Sequence, residues 1–301
     1  MIVDIVVVTR RELLRMSALA GIGGAAALAV GRTAVAAADT IKPGTPGSLG
    51  VLLDYAAGVI SAADLKAAGA VGAIRYVSDR RPDGQWMLGK PIQASEATDL
   101  TGAGMQVVSN YQFGKGTTSD WLGGQDAGIK HAQRGVELHK AAGGPDTAPI
   151  YVSIDDNPSA DQIANQVIPY IKAWESVIGH PRVGVYANSP TIDKLVQAGL
   201  GSFYWQHGWG TPQGYVHPAA HIRQSSIDSD TVGGVGVDIN DILKPQYGQW
   251  SAAGNAAPPA QPGEAQVDSQ VPGSLDDPLV QQGIQQGMGL AQQLLGSLTQ
   301  Q

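Results

Sequence analysis

Between residues 49 and 250 a short apolar run followed by a helical pattern recurs five times, and the rhythm then breaks into three strand-like runs with short connections. That order constrains the fold more than any single motif. A parallel strand pair needs a crossover of about a dozen or more residues, usually a helix, whereas antiparallel neighbours need only a short turn. The first five runs are Gly50–Asp54, Gly72–Val77, Met105–Tyr111, Ile150–Ile154 and Val183–Tyr186, and the last three are Ser202–Gln206, His221–Gln224 and Gly234–Ile239.

Start and stop signals place the helices between them. Ser61 with Asp64 forms a capping box for a helix stopped at Gly69, and a second helix lies near Ser95–Ala103. A third is predicted from Asp120 to Ala142, ended by Gly143 and Gly144. The fourth opens on Ser159 and Gln162, carries Ile163, Val167, Ile171, Trp174 and Ile178 on one stripe, and stops at Gly179. The fifth is opened by Ser189 and Pro190 and closed at Gly199. Five β/α units plus three strands make eight, and closing eight strands removes the exposed edges. The expected fold is α/β, a TIM-type barrel of five β/α units followed by three strands with short connections, at least one of them antiparallel. About 200 residues is the lower limit for such a barrel.

The flanks differ in composition. Arg10 and Arg11, the apolar Ala/Gly-rich run Met16–Val30 and the Ala-x-Ala options ending at Ala36 and Ala38 have the parts of a twin-arginine export signal, assigned to residues 1–38. The run is shorter than the roughly 20 residues that cross a bilayer, so no membrane span is expected after cleavage. Export to the cell envelope, periplasm or extracellular space follows. Removing residues 1–38 takes away four basic and two acidic residues, leaving 15 against 24 and a net charge near −9. That charge argues against nucleic acid as a partner. Residues 39–48 read as a linker before the barrel at 49–250, and the Ala-, Pro- and Gly-rich stretch 251–275 reads as a second. Residues 276–301 form a weak amphipathic pattern, a frayed tail or a surface for a protein partner.

Several strands end in acids. The fourth, PIYVSIDDN, breaks from an apolar run into Asp155, Asp156 and Asn157, while Asp54 closes GVLLD and Asp238 closes GVGVD. Barrel enzymes keep their chemistry at the carboxyl ends of buried strands. Tyr76, Tyr111, Tyr186 and Trp205 fall at or near strand ends where a sugar can stack, and Gln224 is placed to bond a sugar or the acids. Trp174, on its helix stripe, is assigned to the core. Arg75, in an otherwise apolar strand, is expected to pair with a site Asp.

The ordered strand-end signatures LLDY (52–55), IRYVS (74–78), YVSIDDN (151–157), GVYANS (184–189), FYWQ (203–206), IRQ (222–224) and VDIN (237–240) resemble the glycoside-hydrolase-like domain of exported actinobacterial proteins. That domain is a distant relative of the family 25 lysozymes, whose barrel also has five β/α units and three further strands. The resemblance implies a cell-wall glycan, peptidoglycan or a related polysaccharide, as the partner. Glycosidic hydrolysis needs a protonated carboxyl and a second carboxylate, about 5 Å apart for retention or about 6.5–9.5 Å for inversion. Asp54, Asp155 and Asp238 are the candidates.

In the lysozyme relatives the fourth strand ends Asp-x-Glu, and the position resembling that acid here is Asn157, which cannot exchange a proton as a carboxyl does. Asp156 replaces it only if the strand end bulges, since adjacent strand residues point to opposite faces. Otherwise Asp155 or Asp238 serves, or the site binds glycan without cutting it. Hydrolase and silent glycan-binding or wall-organising module both stay open.

Other chemistries find no support. The chain has no cysteine and no His-Glu-x-x-His spacing, and His131 and His139 are read as solvated, so no metal or cofactor is expected. Gly114, Lys115 and Gly116 lack the rest of a phosphate loop, and the Gly233, Gly234 and Gly236 cluster precedes a strand instead of following one. No Gly-x-Ser-x-Gly elbow is present.

Overall fold

The computed structural model describes residues 40–251. The expected signal at 1–38 and, beyond Ser251, the expected linker and tail lie outside the described residues, as does the tail's expected partner surface. Among the described residues no helix is long and apolar enough to cross a membrane.

Eight strands close into a barrel in chain order. They are β1 (Val51–Asp54), β2 (Gly72–Tyr76), β3 (Gln106–Tyr111), β4 (Ile150–Ser153), β5 (Val183–Ala187), β6 (Phe203–Gln206), β7 (Ile222–Val232) and β8 (Val235–Ile242). Neighbours from β1 to β7 are parallel, and β8 runs antiparallel to both β7 and β1. The α/β barrel of five β/α units and three further strands is therefore the observed fold, and β8 is its antiparallel strand. β6 and β7 are parallel although no helix joins them. Residues 207–221 make that crossover as loop, which is long enough for the return.

The helices are α1 (Ala62–Ala67), α2 (Ala94–Gly102), α3 (Gly124–Ala141), α4 (Ile168–Ile178) and α5 (Ser189–Gln197). Ser61 caps α1 by accepting from the Asp64 amide at 3.1 Å. Ser159 and Gln162 form the reciprocal capping box that opens a turn, Ala160–Gln162, and a π-helical segment, Ile163–Val167, leading into α4. Two helix starts differ from expectation. The segment from Asp120 begins as a 3-10 turn, Asp120–Gly123, before α3, and the cap of α5 is Asn188, whose side chain accepts from the Thr191 amide. Ser189 and Pro190 occupy the first helical positions behind it.

Alternation along the strands sorts two apolar layers. Leu52, Ile74, Val108, Tyr151, Tyr186, Trp205, Ile222 and Ile242 fill the barrel. Leu53, Val107, Val152 and Val185 face outward against Leu65, Leu100, Ile171, Trp174 and Leu195 of the helices. Each such aliphatic side chain contributes about 1.5–3 kcal/mol by leaving water. Gly184 is required for the inner layer, because a Cβ there would lie 2.7 Å from the Tyr151 ring.

Polar groups also enter the outer layer. His131 stacks on Tyr111 at 5.3 Å, and His139 is fully buried with Nδ1 2.8 Å from the Ser109 hydroxyl, so neither is solvated as expected. Their helix turns this face to the barrel. Residues 40–48, expected as a linker, are bonded to the barrel: Ile41 N donates to Ala68 O at 3.0 Å, and Gly44 N and the Thr45 hydroxyl donate to the buried Asp241 carboxylate.

Candidate active site

The carboxyl ends of the parallel strands bring Asp54, Asp155 and Asp238 to one mouth of the barrel. Asp54 follows the inward Leu52 by two residues, and Asp155 follows Ser153 and the inward Tyr151 at the same period. Asp238 enters from the opposite chain direction, because antiparallel pairing makes Asp54 and Asp238 direct cross-strand partners. Such partners have Cβ atoms about 4.5–5.5 Å apart.

Two like charges this close, in a buried place, cannot both form easily. Burial first, and the Asp238 charge second, push the Asp54 pKa up to about 8, against hydrogen bonds that favour its ionised form. Those bonds come from Asn240 Nδ2 at 2.7 Å and the Tyr76 hydroxyl at 3.2 Å. Burial likewise raises Asp238 to about 6, while the Asp228 amide, donating at 2.8 Å, and the positive Lys115 pull it back. Gln224 Nε2 donates to Asp238 at 3.0 Å and its Oε1 accepts from the Tyr186 hydroxyl at 2.7 Å. Burial thus leaves both carboxyls with a raised affinity for protons, Asp54 more than Asp238.

Asp155 differs from that pair. Its Oδ2 is ion-paired with Lys115 Nζ at 2.8 Å and accepts from Gln112 Nε2 at 3.1 Å. It belongs to the same field: the hydroxyl protons of Tyr76 and Tyr186 are held well above their usual range by burial and then by the charges of Asp54, Asp155 and Asp238.

Five other expected residues lie elsewhere or act differently. Asp156 lies beyond the end of β4, and its hydrogen bonds turn it toward the loop before α3. Its buried carboxylate accepts from Ser119 Oγ and, at 2.8 Å, from Trp121 Nε1, tying down the loop before α3. Asn157 is exposed, and its Oδ1 accepts from Asn188 Nδ2 at 2.8 Å.

Arg75 does not pair with a site Asp. It faces outward beneath α2, 2.7 Å from Glu96 Oε1, with its guanidinium carbon 3.8 Å from the centre of the Tyr55 ring. Tyr111 also faces outward, packed between His131 and Trp174, and offers no sugar a surface. Trp205 does face inward, but lies below the acids, fully buried, donating through Nε1 to Asn240 Oδ1 at 2.9 Å. It orients the amide that binds Asp54.

Several contributors escaped the sequence reading. Asn240 stands two residues beyond Asp238, on the same face, and that spacing was a usable signal. Lys115 and Gln112 come from the loop after β3, whose residues have no period to betray their direction. Lys90, from the loop after β2, places Nζ 3.9 Å from the centre of the Tyr76 ring and donates to Gln112 O at 2.8 Å. Burial lowers its pKa to about 7. His207, between Tyr186 and β4, donates Nε2–H to the Ile154 carbonyl at 3.1 Å.

A closed α/β barrel whose strand ends gather three carboxyls, two of them with raised proton affinity, defines a glycoside-hydrolase-like protein. The chain belongs to the family described as "Rv2525c-like, glycoside hydrolase-like domain", which matches residues 63–242. It is 63% identical over 244 residues to Rv2525c of Mycobacterium tuberculosis, a protein provisionally named a peptidoglycan hydrolase, covering 81% of this chain and 99% of that one. A crystal structure of that Tat-secreted protein with L-tartrate superposes with a TM-score of 0.67 at 70% identity, covering 68% of this chain and 100% of the other. A second, with HEPES, gives 0.66 at 69% identity over the same shares. The twin-arginine signal read at Arg10 and Arg11 thus matches the export described for this relative.

Proposed function

We propose that this protein hydrolyses a glycosidic bond of a cell-envelope glycan, with peptidoglycan the preferred candidate given the relative's name. The observation that carries the reading is the division of labour among the three carboxyls. Asp54, the member with the higher proton affinity, supports an acid role for this pair near neutral pH, and Asp238 is its more exposed member. Asp155, as the Lys115-paired carboxylate, is the nucleophile or the base for water. Tyr76, Tyr186, Gln224 and Asn240 fix the orientation of the acid pair.

Asn157, at the position where the lysozyme relatives carry their acid, favours a second reading: a wall-binding module that does not cut. Glycan release from purified cell walls separates the two. Wild type is expected to release soluble glycan, and Asp155→Asn and Asp238→Asn to lower the rate by about 100-fold or more. Equal and zero release by all three, with wall binding retained, would establish the silent module.

A further inference from the structure

Beside the Asp155–Lys115 pair lies a pocket of about 310 Å³ that the acid chemistry does not use. It lies one residue beyond the Asp155–Lys115 pair on both sides, since Asp156 and Asn157 line one wall and Gly116 and Thr117 another. Trp209, 58% exposed, also lines it. A single exposed aromatic is ordinary on a protein surface. The backbone beside this one is closely packed: Gly210, with φ of 78°, lies so near Asn157 and Asn188 that a Cβ would sit 2.3 Å from Asn157 Oδ1 and 2.6 Å from Asn188 Nδ2. The glycine allows the loop after β6 to pack closely on the end of β4, which brings Trp209 to the same pocket as Asn157.

The polar lining is neutral and unspent. Asn157 uses Oδ1 to accept from Asn188, and Gln162 uses Oε1 in its capping box. Asn157 Nδ2, Gln162 Nε2 and the Thr117 hydroxyl bond to no group among the described residues. The one charged side chain lining the pocket, Asp156, is committed to Ser119 and Trp121. An exposed aromatic face with amide and hydroxyl donors and no available charge suits an uncharged pyranose, whose C–H face stacks and whose hydroxyl or acetamide oxygens accept.

We infer that this pocket is a saccharide subsite flanking the acid group, in which Trp209 stacks on a ring of the glycan and Asn157 binds it. The chain therefore recognises a polymer extending beyond the cleaved linkage, and Asn157 is a binding residue in place of an acid. This rests on the glycan reading above.

The test uses glycan strands freed from wall peptides by an amidase, titrated calorimetrically into the Asp155→Asn full chain to prevent turnover. Adding Trp209→Ala is expected to weaken binding about five- to ten-fold, and Trp209→Phe to restore most of it. Unchanged unfolding midpoints confirm that the exposed indole was lost without harm to the fold. Binding by Trp209→Ala equal to its parent overturns the subsite while leaving glycan recognition intact. No binding by the parent or by wild type overturns both.

Discussion

Asp54 keeps its proton to about pH 8, whereas the same side chain in an unfolded chain loses it near 3.8. Between those values the folded state binds more protons, so this residue's contribution to stability falls as pH rises, by up to about 1.4 kcal/mol per pH unit. Asp54→Asn removes the titration and keeps an acceptor for Asn240. The variant is expected to match wild type near pH 4 and to gain on it steadily toward pH 8, read from urea midpoints across that range. A difference that does not grow with pH would show that Asp54 titrates as an ordinary carboxyl. Lys115 bears on the other member of the pair, because its charge draws the Asp238 pKa down. Lys115→Ala is expected to raise that pKa above about 6, observable by carboxyl carbon NMR; an unmoved titration would exclude the lysine from the pair's electrostatics. Asp54, Asp155 and Asp238 were legible because each ends an apolar run. Lys115 and Lys90 were not, since a loop has no period from which to read the direction of a side chain.

Elements were legible where local chemistry decides them. The capping box at Ser159 forms as its spacing requires, whereas at Ser61 only the cap itself forms, the Asp64 carboxylate accepting from the Ser61 hydroxyl instead of its amide. The face of a strand is another matter. Period two divides β3 into two sets, yet nothing local says which set is inside, so Tyr111 was assigned to the site and lies under α3 and α4. Arg75 on β2 failed for the same reason, its partner being a helix residue, Glu96, 21 positions away. β5 offers a direct check on packing inside the barrel. Gly184→Ala drives a methyl toward the Tyr151 ring and is expected to destabilise the protein by about 1–3 kcal/mol in urea unfolding. A neutral result would mean that Tyr151 has room to move.

At the scale of the molecule, closure depends on contacts distant in sequence. Trp250 bridges to Val107 of β3 and donates Nε1–H to Ser109 at 3.0 Å, while His139 of α3 meets its indole edge at 5.6 Å. Trp250→Ala is expected to cost about 3–5 kcal/mol of unfolding free energy, and a loss under 1 kcal/mol would show that the barrel closes without it. The sequence by itself determined the order of strands and helices, the short returns that force an antiparallel member, and the acids at the strand ends, because caps, glycines and apolar periods act over a few residues. Only the tertiary structure decided that Asp54 and Asp238 face each other across β1 and β8 with raised proton affinity while Asp155 pairs with Lys115. It also decided that Asp156 and Arg75 face away and that Trp205 lies beneath the acids. Proton affinity and exposure depend on what closure brings within a few ångströms, and Asp54 and Asp238, at opposite ends of the barrel sequence, become neighbours only when β8 returns to β1.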